Sequence, residues 1–412
     1  MNIYAVIILC TIVIEFAIHL IADLLNMKTL NAGLPAEFSG VYDEEKYRKS
    51  QQYTAVNTKF GILSSAFSLA VTLGFWFGGG FPYLDGIVRS WNAGSPWTGM
   101  IYIGILILAR SILSLPFSIY STFVIEERFG FNKTTAATFV ADMAKGLGLG
   151  ILLGGPLLFV VLWFFESAGS MAWLYCWLIA TAFIVIIQFV APTWIMPLFN
   201  KFTPLEDGEL RSAILSFAES VKFSLRDVFV MDGSKRSSKS NAFFTGFGRN
   251  KRIALFDTLI KNHSVQELVA VLAHEIGHYK KKHIRQGMII SILHTGVMFF
   301  VLSLFISRQE LFDAFSMEHV SVYAGMIFFG MLFTPIEELL SLVMHALSRK
   351  NEYEADRFAA EKTGHPETMI IALKKLSVDN LSHLTPHPMY VTLNYSHPPV
   401  MARINALKKF AK

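Results

Sequence analysis

The sequence predicts a mainly α, polytopic membrane protein with about seven transmembrane helices and one soluble region. Three observations carry this. Hydrophobic types fill 53% of the 412 positions and charged types only 16%, which excludes an ordinary soluble globular chain. Seven mostly apolar stretches, each long enough to cross a bilayer, lie near 3–25, 61–83, 101–123, 146–165, 172–191, 287–307 and 320–347. A long polar stretch, 199–286, interrupts them, and no internal repeat or low-complexity tract is present.

The first stretch has no basic start and no small-residue cleavage site, and it carries Glu15, His19 and Asp23, so it reads as a retained helix and not a signal peptide. Those three residues recur at i, i+4 and i+8 and form one ionisable stripe. Arg110 in the third stretch, and Glu337 and Glu338 beside Pro335 in the seventh, are placed similarly. A charged side chain at membrane depth costs about 2.5–3.5 kcal/mol on insertion scales unless it meets water or a partner. The stripe therefore predicts either a hydrated interior or an internally paired cluster.

Lys and Arg are dense in 28–59, 128–145, 199–286 and beyond 349, and sparse in 84–100, 166–171 and 308–319. The positive-inside bias then puts the N-terminus outside, with the 199–286 region and the C-terminus in the cytoplasm, which needs an odd number of spans. The same topology accounts for the net charge of +5, so no nucleic-acid partner is expected. Cys10 and Cys176 both fall inside apolar stretches and are too few for a disulfide framework or a metal cluster.

The chain divides into an N-terminal membrane region of five helices (1–198), a cytoplasmic subdomain (199–286), the sixth and seventh helices (287–347) and a C-terminal cytoplasmic subdomain (348–412). Within 199–286 the pattern predicts a helix over 207–223, strands over 227–231 and 252–256, and a polar, flexible segment over 233–241. Ser264 followed by Glu267 is a capping box that opens a helix over 265–282.

That helix carries His274-Glu275-Ile276-Gly277-His278. Imidazoles at i and i+4 share a helix face and reach one ion, with a carboxylate beside the first: the HExxH pattern of zinc proteases. A catalytic Zn2+ needs a third protein donor and an open position. Glu352, in the block Glu352-Tyr353-Glu354-Ala355-Asp356 after the last apolar stretch, is the candidate. The sixth and seventh stretches form a hairpin that ends near Ser348 and returns Glu352 to the histidines. In this reading Glu275 takes the proton of an activated water. Asp356, four residues after Glu352, accepts the outer N–H of a ligand imidazole. Glu354 lies off that face and reads as solvated, and His283 and His294, lacking partner spacing, read as ordinary histidines.

Further blocks extend the pattern: Glu126 to Asn132 (EERFGFN), Pro197 to Phe202 (PLFNKF), Ser240 to Phe247 (SNAFFTGF), Arg252 to Leu259 (RIALFDTL) and Tyr395 to Pro399 (YSHPP). With HExxH and the 352–356 block, the chain resembles the CAAX prenyl protease 1 family of integral-membrane zinc metallopeptidases. The resemblance implies a seven-helix barrel around a water-filled chamber, with a zincin-like metalloprotease domain on its cytoplasmic side and the zinc facing inward. It implies His274, His278 and Glu352 as ligands and Glu275 as catalytic base. His397 and Arg403 would steady the tetrahedral intermediate or the substrate, and Asn241, with Ala242 and Phe243, would form the edge along which an extended peptide pairs. A His-Pro-Pro turn would also serve merely as a helix start, with Pro398 near its first position.

The function that follows is zinc-dependent cleavage of a peptide or protein substrate inside the membrane, in the family the removal of a C-terminal tripeptide after a prenylated cysteine. The same chemistry would suit membrane-protein quality control. A transporter with a regulatory metal site is the reading from a different class, and Glu275 separates them, since only a protease needs a base there. The bilayer is the other partner. Without an evident retrieval signal at 410–412, the location is a bacterial inner membrane or, in a eukaryote, the endoplasmic reticulum.

Overall fold

A computed structural model describes residues 1–225, 227–245 and 252–410. Among them seven helices are long and apolar enough to cross a membrane: Ile3–Asn31, Glu44–Phe77, Ser95–Glu126, Ala136–Ser167, Gly169–Phe199, His283–Phe305 and Val322–Thr363. Each expected stretch is present, and the differences lie at the ends. The second helix stops at Phe77, short of residue 83, because Gly79 turns the chain at φ +70 and a separate helix, Gly80–Ser90, begins.

The seventh helix does not end near Ser348. It runs unbroken to Thr363 and stops only where Gly364, at φ +71, caps it with an N–H bond to the Ala360 carbonyl. Residues 348–363 contain no Gly or Pro and are rich in Ala, Glu, Lys and Arg, which favour helix. Its 42 residues extend about 60 Å, twice the roughly 30 Å hydrocarbon layer, so half the helix projects beyond the membrane.

In the apolar window of each spanning helix at most 17% of residues are buried by protein. Most of each span therefore meets surroundings other than its own chain. Dense packing gathers at the end where the seventh helix begins, in a cluster that includes Trp76, Phe81, Tyr102, Phe312, Phe315, Tyr323 and Phe328. Phe315 stacks on Phe328 with ring centroids 3.9 Å apart, and the Trp76 indole donates to the Ala314 carbonyl at 2.9 Å. The Tyr323 hydroxyl donates to Asp85 at 2.5 Å. Glu352 lies toward the opposite end of the same helix.

The soluble region is built on a four-stranded sheet in the order β1-β2-β4-β3. The expected strands, β2 (Asp227–Met231) and β4 (Arg252–Phe256), are its parallel central pair. Two short edge strands, β1 (Phe202–Pro204) and β3 (Ala242–Thr245), were not expected, since three or four residues carry too little alternation to read as strands. The helix expected over 207–223 is Glu209–Ser220. The segment 233–241 is held, not flexible. Lys133 N–H bonds the Arg236 carbonyl at 3.0 Å, Arg236 grips Asp142 at 2.7 and 2.8 Å, and Lys239 meets Glu126 at 2.8 Å. Gly246 and Phe247 of the 240–247 block lie outside the described residues, as do 411–412.

The HExxH helix, Val265–Lys280, opens with both halves of its capping box formed. It ends two residues before the expected 282 because Lys282 adopts φ 65 and turns the chain into the sixth membrane helix. Leu268, Val271, Leu272 and Ile276 seat one side of it against Ile253 and Leu255 of the sheet. A second soluble core joins Phe38 and Tyr47 to Met369, Leu373, Ile404 and Leu407, which ties the loop after the first membrane helix to the C-terminal helices.

Candidate active site

The HExxH helix leans on the extended seventh helix, and Gly277 allows the close approach. A Cβ at Gly277 would lie 3.1 Å from the Ala355 Cα, 3.2 Å from the Ala355 carbonyl oxygen and 3.2 Å from Phe358. The two helices thereby bring three donor atoms together. His274 Nε2 is 3.1 Å from His278 Nε2 and 3.4 Å from Glu352 Oε2, and His278 Nε2 is 3.2 Å from Glu352 Oε1.

These separations fit a metal ion. Bonds of about 2.0–2.1 Å to a tetrahedral zinc put neighbouring donors about 3.3 Å apart. Glu352 is buried, and its Oε2 has His274 Nε2 and Arg403 Nη1 each at 3.4 Å, so the carboxylate sits among positively polarised groups with its oxygens turned toward both imidazoles. The charge count agrees: Glu275, Glu352 and Asp356 against Arg403 leave two negative charges when the imidazoles are neutral. The field around His274 shows the same demand for positive charge. Burial disfavours its protonation, yet the hydrogen bonds to Asp356 and Glu352 outweigh burial and lift the ring to about 9.

The outer nitrogens of both imidazoles are accounted for. His274 Nδ1 donates to Asp356 at 2.9 Å, which turns Nε2 toward His278 and Glu352. Asp356 is gripped in turn by Arg403, at 2.6 Å from Nη2 and 2.8 Å from Nε. His278 Nδ1 lies 3.1 Å from His283 Nδ1, and His283 Nε2 lies 3.3 Å from Glu354. With His278 Nε2 a donor atom for metal, the protons run from His278 to His283 and from His283 to Glu354. His283 and Glu354, expected to be an ordinary histidine and a solvated glutamate, thus form a second support chain. Sequence spacing hid it, because the reversal at Lys282 lets His283 fold back five residues on His278, which no helical period predicts. His294, also expected to be ordinary, has Nε2 3.0 Å from Glu337 of the neighbouring membrane helix.

Glu275 projects from the same helix into a cavity of about 330 Å³ lined also by Phe244, His278, His283, Met344 and Asn351. Burial pushes its carboxyl up, against the opposing pull of His274 and His278. His397 Nε2 lies 3.4 Å from Glu352 Oε1 with 65% of its side chain exposed, whereas the Arg403 side chain is 11% exposed. His397 thus faces open space and Arg403 the protein interior. The His-Pro-Pro turn leads into a helix, Val400–Lys408, with Pro399 as its N-cap and Pro398 one residue before the cap.

Asn241 precedes β3, where its carbonyl accepts the Phe256 N–H at 3.1 Å and its side chain accepts the Ala242 N–H at 2.8 Å. β3 bonds β4 on one side and is the sheet's edge on the other. Phe244 carries it onto the HExxH helix, 5.6 Å from the Tyr279 ring centroid, so the edge runs beside the cavity that holds Glu275. Ala242 and Phe243 lie on that edge strand.

Comparison with known proteins gives a consistent result. Residues 23–201 match the family described as CAAX prenyl protease N-terminal, five membrane helices, and residues 204–411 match Peptidase family M48. The chain is 37% identical to CAAX prenyl protease 1 of Saccharomyces cerevisiae over 91% of this chain and 88% of the relative. It is 36% identical to the Oryza sativa homolog over 97% and 96%, and 32% identical to the human homolog over 91% and 88%. The crystal structure of S. mikatae Ste24p superposes with a TM-score of 0.94 at 34% identity, covering 99% of both chains.

Proposed function

From the premise that this chain belongs to the CAAX prenyl protease 1 family of M48 metallopeptidases, as an integral multi-pass membrane enzyme, we propose that it is a zinc endopeptidase that removes the C-terminal tripeptide following a prenylated cysteine. The observation that carries the reading is the 3.1–3.4 Å triangle of His274 Nε2, His278 Nε2 and the buried Glu352 carboxylate.

His274, His278 and Glu352 would hold a zinc ion, which when bound would supply Lewis acidity toward the scissile carbonyl and lower the pKa of a water toward about 7. Glu275 takes that water's proton and delivers it to the leaving amine, and its raised pKa suits both transfers. Asp356, fixed by Arg403, and His283, backed by Glu354, hold the two imidazoles in the tautomer that presents Nε2. His397, exposed beside Glu352, donates to the developing oxyanion, and Arg403 stabilises the charge from behind. The free edge at Asn241, Ala242 and Phe243 takes the peptide as an added strand.

The seven helices enclose a hydrated chamber in this reading. Their low burial and the ionisable groups at Glu15, His19 and Glu338 support it. The basic loops favour a cytoplasmic protease region and C-terminus and an N-terminus outside it, in a bacterial inner membrane or a eukaryotic endoplasmic reticulum.

The purified chain should release a tripeptide from a prenylated CAAX peptide, as identified by mass, and a chelator should stop it. Equal cleavage of the unprenylated peptide would reject the substrate assignment in favour of membrane-protein quality control. Chelator-resistant cleavage would reject the mechanism. His397→Ala should reduce turnover with zinc content intact; loss of zinc would assign it to metal binding.

A further inference from the structure

Fourteen residues before Glu352 on the seventh membrane helix, about 21 Å along its axis, Glu338 meets Glu15 and His19 of the first. One donor atom from each lies within 4.8 Å of the other two, and His19 Nε2 is 3.7 Å from Glu338 Oε2. Glu15 and His19 stand at i and i+4 on one helix face, the spacing by which His274 and His278 converge. Among the described residues no Lys or Arg lies within ion-pair distance of either carboxylate; His19 is the basic partner. Two carboxylates facing each other inside an apolar span repel, and one imidazole cannot balance both. Intramembrane ionisable groups are retained where they serve a site.

We propose that Glu15, His19 and Glu338 form a second metal site, separate from the catalytic one, that takes a divalent transition-metal ion through one nitrogen and two oxygen donors. A divalent cation cancels the two carboxylate charges. The imidazole favours zinc, iron, copper or nickel over calcium, magnesium and manganese. The ion bridges the first and seventh membrane helices, and both lead to the catalytic region. The seventh carries Glu352 and Asp356, and at the end of the first Asn26 accepts the His387 N–H at 3.0 Å, in the segment that leads to His397. The ion is thus a clamp between the membrane helices and the metalloprotease end.

The test is zinc stoichiometry of the full chain, stripped with chelator, titrated with Zn2+ and assayed by elemental mass spectrometry. Wild type should hold two ions, the Glu15→Gln/Glu338→Gln double variant one with peptide cleavage retained, and His278→Ala one. Loss of the ion from His278→Ala reports on the catalytic site alone, so failure of either site is read separately. One ion in the wild type overturns the proposal and leaves a proton shared between Glu15 and Glu338. Two ions in the double variant overturn it by placing the second elsewhere. Should the double variant not fold, anomalous scattering at the zinc edge from wild-type crystals decides by a peak, or none, between Glu15, His19 and Glu338.

Discussion

Glu275 and Gly277 sit two residues apart in one motif and do unrelated work. Glu275 holds no metal in the proposed mechanism, so Glu275→Gln should lower cleavage by about 10²–10⁴-fold while zinc content, read by elemental analysis, stays at the wild-type level. Gly277 is a packing residue. A methyl group there meets backbone atoms of Ala355 at 3.1–3.2 Å, which cannot rotate away. Gly277→Ala should therefore part the two ligand helices at a cost of about 1–3 kcal/mol, seen as weaker zinc binding and a lower melting temperature. His283 supplies a third contrast. His283→Ala removes the acceptor of His278 Nδ1, and zinc affinity should fall by about 10–100-fold. An unchanged affinity would leave the His283–Glu354 pair with only a structural role.

Among the elements, the seventh membrane helix links membrane to chemistry because it does not end where its apolar residues do. Ser348→Pro breaks the helix between its membrane part and Glu352, at about 3 kcal/mol or more. Zinc content should drop even though no ligand has changed. The ion pairs that tie the loop after the first membrane helix to the C-terminal helices, Glu37 with Lys374 and Lys408, depend on pH. Hydrogen bonds from Lys374 and Lys408 hold the Glu37 carboxyl below its usual range. A carboxyl lowered on folding adds stability above its unfolded pKa of about 4.3, and that stability is lost as pH falls through the folded value. Glu37→Gln should thus lower the melting temperature at pH 7, with the gap from wild type closing as pH drops to 4 and below.

Across the whole molecule, if all seven apolar helices cross the bilayer, the two termini fall on opposite sides of it. Tags at the N- and C-termini of a vesicle-embedded chain should differ in protease accessibility, and equal accessibility would remove one span from the topology. Much of this scale was legible. Hydrophobic length located every span, the capping box located the start of the HExxH helix, and the central strands were read at their true bounds. Those signals are local: each rests on the chemistry of consecutive residues or on a period of 2 or 3.6. The short edge strands and the docked 233–241 segment were not legible, because their partners lie far away in the chain.

By itself the sequence determined that this is a membrane protein with an imidazole pair and a carboxylate on one helix, since composition and spacing need no partner to be read. The spacing also named Glu352 as the carboxylate that meets that pair, and only the tertiary structure decided that His283 and Glu354 stand behind it and that Glu15, His19 and Glu338 converge. Those contacts join residues on different helices or across a chain reversal. Their geometry is set by helix approach at Gly277 and by a left-handed turn at Lys282, neither of which leaves a periodic trace in the chain.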